Sequence, residues 1–278
     1  MTYWINGSKT DTLSASDRAV QFGDGCFTTL KVERQQIVML EQHLTRLRTD
    51  TMRLRLPPPD WQQLRAHLVN IAEQQSETMV LKVIISRGQG GRGYSSTNFT
   101  APTVIVSVSP YPHHYPCWQQ AGIELILSPI PLGKNPYLAG IKHLNRLEQV
   151  LIKQYIDDQQ ADEALVVDIE GLLVECCSAN IFWRQGEQVY TPLLDNAGVN
   201  GLMRQRIIQL LADSPYTLQQ VAESPQALAL CDEVLVCNTL MPIIPVNAIR
   251  LPESSTVWHY QSRHLFNYLL PSCQVANN

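Results

Sequence analysis

The sequence lacks the features that mark several large classes of protein. No apolar run in its 278 residues is long enough to span a bilayer, and the N-terminal stretch MTYWINGSKT has neither the basic region nor the apolar core of a signal peptide. The formal net charge of −4 argues against a nucleic-acid-binding protein, which usually carries a basic face. We therefore expect a soluble, cytoplasmic protein with no membrane or nucleic-acid partner.

Ligand patterns for metals and disulfides are also missing. The seven cysteines are an odd number and form no C-x-x-C pair, although Cys176 and Cys177 are adjacent. His113 and His114 are adjacent too, but no carboxylate or further histidine lies at metal-ligand spacing from them. The sequence therefore predicts neither a disulfide framework nor a metal site.

What is present is an ordinary globular composition, 45% hydrophobic and 17% charged, in a chain long enough for one large domain or two modest ones. Strand and helix patterns occur in both halves, which predicts an α+β fold. The proline-rich stretch YPHHYP, 111–116, predicts an irregular boundary. We therefore expect a small N-terminal α/β domain over 1–112, a linker over 113–121 and a larger C-terminal domain over 122–278.

The segment GIKHLNRLEQV, 140–150, places a lysine between a strand-like stretch and a helical pattern. Leu144, Leu147 and Leu151 form an apolar stripe, which predicts that Lys142 lies at or just before a helix start. A helix start disfavours positive charge, as burial does, and either favours the neutral amine that Schiff-base chemistry needs. The alternative is a solvated loop lysine.

Glu175 lies in the strand pattern LLVECCSANIFW among apolar and small residues. Glutamate is depleted from strands and is costly in a core unless it is paired. Either this residue lies on a solvated face, or it is a buried carboxylate whose cationic partner is a group such as a protonated pyridine nitrogen.

Other segments offer groups suited to a phosphate. The segment GVNGLMRQR, 198–206, has two glycines before a predicted helix, and such a start presents free backbone N–H groups. Asn238 and Thr239 lie at a strand end, and Arg46 in a helix supplies a guanidinium. Taken singly, each of these is equally typical of ordinary turns and solvated helix faces.

The glycine-rich stretch RGQGGRGYSS, 87–96, lacks the G-K-[ST] of a phosphate-binding loop, and a strand follows it. Arg87 and Arg92 on this loop suit a carboxylate clamp, unless the loop is only a mobile hairpin tip. Together with Lys142 and Glu175, the candidate groups make up the inventory of a pyridoxal phosphate site.

Five segments together resemble the fold-type IV pyridoxal phosphate enzymes, which include branched-chain and D-amino acid aminotransferases and aminodeoxychorismate lyases. The segments are SDRAVQFGDGCFTT, SRGQGGRGYS, LAGIKHLNRLEQVLI, VECCSANIFW and AGVNGLMRQ. The likeness covers nearly the whole chain and is greatest to the lyases. It implies a small N-terminal α/β domain, a larger C-terminal pseudo-barrel domain, pyridoxal 5′-phosphate bound between them, and a homodimer.

The resemblance also implies roles for individual residues. Lys142 is similar to the Schiff-base lysine, and Glu175 to the partner of the pyridine nitrogen. The implied phosphate ligands are Arg46, the backbone N–H groups of Leu202 and Met203, and Thr239, with Asn238 beside it. Arg92 and Tyr94 are expected to hold a substrate carboxylate, and Thr28 and Thr29 to line the pocket.

Two departures separate the chain from the transaminases. Residues 201–204 read GLMR where transaminases usually have Gly-Ile-Thr-Arg, and Leu147 stands where they often have tyrosine. The implied reaction is therefore the elimination that converts 4-amino-4-deoxychorismate to 4-aminobenzoate and pyruvate. A class IV aminotransferase is the alternative enzyme, and a cofactor-free binding protein is the alternative of a different class.

Overall fold

The computed structural model describes residues 1–97, 99, 101–251 and 256–274. The chain forms two compact units. Of the described residues, the first contains Met1–Pro112 together with Lys142–Asn145, and the second contains His113–Ile141 together with residues 146–251 and 256–274. The sequence placed Lys142 with the C-terminal domain, whereas its contacts place it in the first unit.

An antiparallel sheet of six strands, in the order β2-β1-β6-β5-β3-β4, forms the first unit. Its strands are β1 (Thr2–Ile5), β2 (Ser8–Lys9), β3 (Gly25–Glu33), β4 (Gln36–Ile37), β5 (Met79–Ser86) and β6 (Thr103–Pro110). Its helices are α1 (Arg18–Phe22), α2 (Leu40–Arg53) and α3 (Trp61–Glu73).

The first unit forms because one face of the sheet is apolar and two amphipathic helices cover it. Buried Leu30 and Leu81 of the sheet belong to the same core cluster as Leu44 and Leu47 of α2. Helix α3 begins at a side-chain cap, since Asp60 Oδ1 accepts the N–H groups of residues 62 and 63.

A mixed sheet of nine strands forms the second unit and curls into a half barrel. Its strands are β7 (Ile123–Leu127), β8 (Glu163–Val167), β9 (Leu173–Cys176), β10 (Asn180–Gln185), β11 (Gln188–Pro192), β12 (Thr217–Val221), β13 (Glu233–Cys237), β14 (Ile244–Arg250) and β15 (Val257–His259). Its helices are α4 (Tyr115–Ala121), α5 (Leu147–Asp158), α6 (Leu202–Ala212) and α7 (His264–Gln274), with a 3-10 turn at Pro225–Leu230. No helix within the described ranges is both long and apolar enough to cross a membrane.

Two sequence-based expectations about these elements are wrong. The stretch 111–116 was expected to be irregular and 113–121 to be a linker, but α4 begins at Tyr115. Proline is compatible with a first helical turn, so Pro116 does not prevent the helix, while Trp118 packs against the core of the second unit. The pattern of WHYQSRHLFNYLL, 258–270, also predicts a final helix, but Trp258 pairs with Ile249 in the sheet, and α7 starts at His264.

Helix α5 begins later than the sequence suggested. Its first residue is Leu147 rather than Leu144, and the residues buried on it are Ile152 and Ile156. The predicted apolar stripe is therefore not the core face of this helix.

Candidate active site

Lys142 lies in an irregular segment that pairs with the beginning of β3. Its carbonyl accepts the Phe27 N–H at 2.9 Å, and the Leu144 N–H donates to the Gly25 carbonyl at 3.0 Å. The Lys142 Nζ atom lies 4.6 Å from the centre of the Phe27 ring. The helix-start explanation for this lysine is wrong, because α5 begins five residues later, and its placement comes from β3 instead.

Two helical turns of α2 place polar side chains beneath the same strand. Thr28 and His43 are both buried, and Thr28 Oγ1 lies 2.6 Å from His43 Nδ1. Burial lowers the pKa of His43 well below its usual range, and the charges of Arg46 and Lys142 lower it further. His43 is therefore neutral at physiological pH.

Arg46 is a buried cation whose donors are incompletely used. Its Nη2 donates to Thr28, whereas its Nε has no hydrogen-bond partner in the part of the chain that the structure describes. Within those same residues it forms no ion pair with a carboxylate, and burial lowers its pKa to about 10 despite the opposing charge of Asp50. Unmet buried guanidinium donors suit a bound anion such as a phosphate.

Asp50 connects this group to the lysine segment. Its Oδ2 accepts the backbone N–H of Lys142 at 3.3 Å. Burial raises its pKa, against the lowering effects of that bond and of Arg46. Sequence reasoning missed both His43 and Asp50. The signal was present in EQHLTRLRTD, where polar residues at 43, 46 and 50 share the helix face that carries the buried leucines.

In the second unit, Glu175 is buried on β9, where all four residues are buried. The solvated-face alternative is therefore wrong. Its Oε2 accepts the Val199 N–H at 2.8 Å. Gly198 makes this approach possible, since its φ of +84° is a glycine conformation and a Cβ there would lie 2.6 Å from Val174 Cγ1.

The glycines continue into the start of α6. Gly201 is the N-cap, and no side chain caps the helix, so the first N–H groups remain available to a ligand. Leu202 and Met203 contribute those groups while their own side chains are buried. The structure thus brings Glu175 and the α6 start together within the second unit.

Asn238 and Thr239 follow β13. The Asn238 amide donates to the Ser178 carbonyl at 3.0 Å, and its Oδ1 accepts the N–H groups of Leu240 and Met241. Asn238 therefore shapes the turn that carries Thr239, which is partly exposed.

The glycine-rich loop separates its two arginines. Arg87 is buried and donates to Asp24 and to the carbonyls of Leu54 and Arg55, so the proposal of a clamp made by both arginines is wrong. Arg92 is exposed and lines a cavity of about 320 Å³. The other lining residues are Gln89, Gly91, Ser95, Thr97 and Phe99. Tyr94 is exposed beside Phe22, with ring centres 5.4 Å apart.

Thr28 and Thr29 lie on opposite faces of β3, as neighbours in a strand must. Thr28 faces α2 and contacts Arg46, whereas Thr29 is half-buried on the other face. Only one of the two can therefore act with the Arg46 group.

The donor set fits pyridoxal phosphate, an anionic ring cofactor that binds an amine. In the first unit, Arg46 Nε has no hydrogen-bond partner among the described residues, and Lys142 is held against the beginning of β3. In the second unit, Glu175 is buried and α6 begins at a glycine with no side-chain cap. Among the residues that the structure covers, no cluster of histidine, cysteine, aspartate and glutamate is arranged to hold a metal ion.

Comparison with known proteins gives one family. The model of amino-transferase class IV matches residues 25–249. An aminodeoxychorismate lyase of Vibrio harveyi is 36% identical, over 91% of this chain and 93% of that protein. A D-alanine aminotransferase of Bacillus licheniformis is 26% identical, over 84% of this chain and 81% of its own.

Solved structures show the same fold. The crystal structure of 4-amino-4-deoxychorismate lyase from Pseudomonas aeruginosa is similar, with a TM-score of 0.88 and 34% identity over 97% of this chain and 98% of that one. The branched-chain aminotransferase of Thermoproteus uzoniensis, at 16% identity, has a TM-score of 0.84 over 99% of this chain and 93% of its own.

Proposed function

The chain belongs to the amino-transferase class IV family, and we propose that it is an aminodeoxychorismate lyase that converts 4-amino-4-deoxychorismate to 4-aminobenzoate and pyruvate. The observation that carries this proposal is the full-length likeness to two lyases, each of higher identity than the aminotransferases compared with it. Family membership confirms the expected fold-type IV architecture and pyridoxal 5′-phosphate as the cofactor.

Each candidate residue then has a proposed role in holding the cofactor. Lys142 would bind it covalently, and Glu175 would pair with its pyridine nitrogen. Arg46, the N–H groups of Leu202 and Met203, and Thr239 would hold its phosphate, with Asn238 shaping the last turn. When bound, the cofactor supplies an electron sink for the carbon that carries the substrate amine.

The chemistry of this chain is proton transfer. The Lys142 amine would act as the base that removes the proton from the amine-bearing carbon of the substrate. The negative charge of Glu175 favours a protonated ring nitrogen, which strengthens the electron sink. The enolpyruvyl ether bond breaks, the ring becomes aromatic, and the proton returns to the leaving group to give pyruvate. No second amine or oxidant is needed.

Arg92 and Tyr94 are proposed to hold a carboxylate of the substrate, and Thr28 and Thr29 to line its pocket. Arg92 is the supported member of this group, because it is exposed and lines a cavity of about 320 Å³, whereas Arg87 is held by Asp24. A guanidinium matches a carboxylate by paired hydrogen bonds.

An assay without any keto acid tests the proposed reaction. Purified protein given aminodeoxychorismate alone should form 4-aminobenzoate and pyruvate in equal amounts over many turnovers. Product that appears once per active site, or only after addition of a keto acid, would replace the lyase by the aminotransferase. Protein that binds no pyridoxal phosphate would support a cofactor-free binding role instead.

A homodimer is part of the proposal, and α5 supplies its support. Leu147, Val150 and Leu151 are 71%, 53% and 42% exposed and share one helix face at positions i, i+3 and i+4. Such an apolar patch is typical of a protein interface. Light scattering should give twice 31.4 kDa for the wild type and a monomer for Leu147→Glu. A wild-type monomer with bound cofactor would contradict the dimer. The cytoplasmic location is likewise proposed, and cell fractionation tests it.

A further inference from the structure

The four residues 198–201, here called the glycine segment, lead directly into α6. Within it, the backbone of Val199 is held at both its N–H and its carbonyl. Its N–H donates to Glu175 Oε2 at 2.8 Å, and its carbonyl accepts the Asn180 side-chain amide at 2.9 Å. Asn180 is buried at the beginning of β10, one short turn after the strand that carries Glu175. The carboxylate and the amide, which come from strands consecutive in the chain, therefore hold the N–H and the carbonyl of one residue.

Neighbouring residues pack closely against the glycine segment and restrict its movement. A Cβ on Gly201 would overlap Asn180 Oδ1, so the asparagine packs directly on the backbone of the N-cap. Gly140 fixes the segment from another side, because its N–H donates to the Gly198 carbonyl at 2.9 Å and its carbonyl accepts the Asn200 N–H at 3.2 Å. Any movement of the segment must break several buried hydrogen bonds at once, and each buried group left unpaired costs free energy.

We propose that Asn180 is a positioning residue that fixes the spacing between the Glu175 carboxylate and the first N–H groups of α6. This inference rests on the proposed function, because those two places are where the pyridine nitrogen and the phosphate are expected. Among the described residues, Asn180 forms no hydrogen bond to the Glu175 side chain or to the N–H groups of Leu202 and Met203. It holds the Val199 carbonyl, so that the Val199 N–H stays on Glu175 and the helix start stays in register with it.

Asn247 provides a matched control in the same unit. Its side-chain amide donates to the Ala121 carbonyl at 2.9 Å, and a Cβ on Gly122 would overlap Asn247 Oδ1. The local arrangement is thus an asparagine amide on a carbonyl beside a glycine, as at Asn180. Neither Asn247 nor its partners contact Glu175 or α6 in any hydrogen bond of the described chain.

The first experiment measures dissociation constants of pyridoxal phosphate and of pyridoxal for protein freed of cofactor. The dissociation constant of pyridoxal divided by that of pyridoxal phosphate reports what the phosphate contributes to binding. Asn180→Ala and the isosteric Asn180→Asp should each lower this ratio about tenfold. The reason is that a shifted start of α6 weakens the hydrogen bonds from its N–H groups to the phosphate. Asn247→Ala should leave the ratio unchanged. An unchanged ratio in a folded Asn180 variant would overturn the proposal.

Amide hydrogen exchange at Val199, measured without cofactor, separates this inference from the proposed function. Exchange should be about tenfold faster in Asn180→Asp than in the wild type and unaffected in Asn247→Ala. Equal exchange in Asn180→Asp and wild type would refute the positioning role. If the wild-type protein instead binds pyridoxal no less tightly than pyridoxal phosphate, the cofactor assignment fails, and the exchange result still decides whether Asn180 holds the segment. Asn180→Asp keeps both tests available should Asn180→Ala not fold.

Discussion

The two units differ in the chemical groups that they offer as candidate ligands. In the first, the candidate ligands are side chains: Arg46 and its buried neighbours Thr28, His43 and Asp50 occupy one face of α2 and β3. In the second, they are mostly backbone N–H groups at the start of α6, accompanied by the single carboxylate of Glu175. A side-chain ligand is lost by one substitution, whereas a backbone ligand is lost only when the chain moves.

This difference explains how residues 201–203 could bind an anion, as proposed, without a polar side chain. Leu202 and Met203 have buried apolar side chains and need only offer their N–H groups. The residues that cannot vary are those that shape the path, Gly198 and Gly201. In the first unit the opposite holds, because the candidate ligand is the Arg46 side chain itself.

The largest effect should follow the loss of the reacting side chain. Lys142→Ala should abolish covalent attachment and lower turnover by at least about a thousandfold, because proton transfer at the substrate carbon loses its base. A steady-state assay of pyruvate release measures this. Lys153→Ala is the control, since Lys153 is exposed and pairs only with Asp157, and it should retain wild-type turnover. Comparable losses in both variants would remove the special role of Lys142.

Glu175→Gln removes the negative charge beside the start of α6 but keeps a side-chain oxygen that can accept the Val199 N–H. The glycine segment should therefore stay in place and cofactor should still bind. Turnover should fall about a hundredfold, because a neutral amide no longer favours the protonated ring nitrogen. Single-turnover kinetics with a deuterated substrate would locate the loss in proton removal. Near-normal turnover in this variant would contradict the role given to Glu175.

Arg46→Lys tests whether the side-chain group holds the phosphate. A lysine keeps the charge but lacks the fork of donors, so the affinity for pyridoxal phosphate should fall about tenfold. Equilibrium titration of cofactor-free protein measures the affinity. Arg65→Lys is the control, because Arg65 is half-exposed and pairs with Glu41 on the helix surface. Equal affinity in Arg46→Lys and wild type would place the phosphate away from α2.

The smallest effect concerns His43 and the pH dependence of stability. Its folded pKa is depressed by burial and by the neighbouring cations, so below about pH 6.5 the unfolded chain binds a proton that the folded chain does not. The free energy of unfolding should therefore fall by about 1.4 kcal/mol per pH unit below that point. His43→Asn keeps an acceptor for Thr28 but does not titrate. In urea unfolding, the free energy of unfolding of this variant should therefore depend less steeply on pH, by this amount per pH unit. Identical slopes would mean that His43 is protonated in the folded protein.

Residue type and spacing were enough to predict those helices and strands whose apolar residues recur at a regular period. Helices α2 and α3 and the hairpin of β8 and β9 have apolar patterns that indicate them from the sequence alone, and the structure contains them. Lys142, Glu175 and the two glycines stand out as candidates because each is unusual for its local pattern, and their roles are part of the proposed function.

What the sequence did not reveal depends on tertiary contact. The start of α5 was misplaced because Leu144, which fits the helical stripe, packs against Gly25 instead, and a Cβ on that glycine would lie 2.8 Å from the leucine. Arg87 looked like a free loop arginine because Asp24, its partner, lies 63 residues away. Asn180 gave no signal at all, since its bond to the Val199 carbonyl exists only when the sheet and the glycine segment meet.

Attachment of the cofactor to Lys142 is the central claim, and chemical reduction tests it most directly. Borohydride treatment of the coloured protein, followed by proteolysis and mass spectrometry, should place a reduced pyridoxyl group on the peptide that contains Lys142 and on no other. Lys134 and Lys153 are the nearest alternatives in the sequence, and both are engaged with carboxylates, Lys134 with Asp168 and Glu170. A label on either of them, or no label on a protein that is visibly loaded with cofactor, would contradict the assignment.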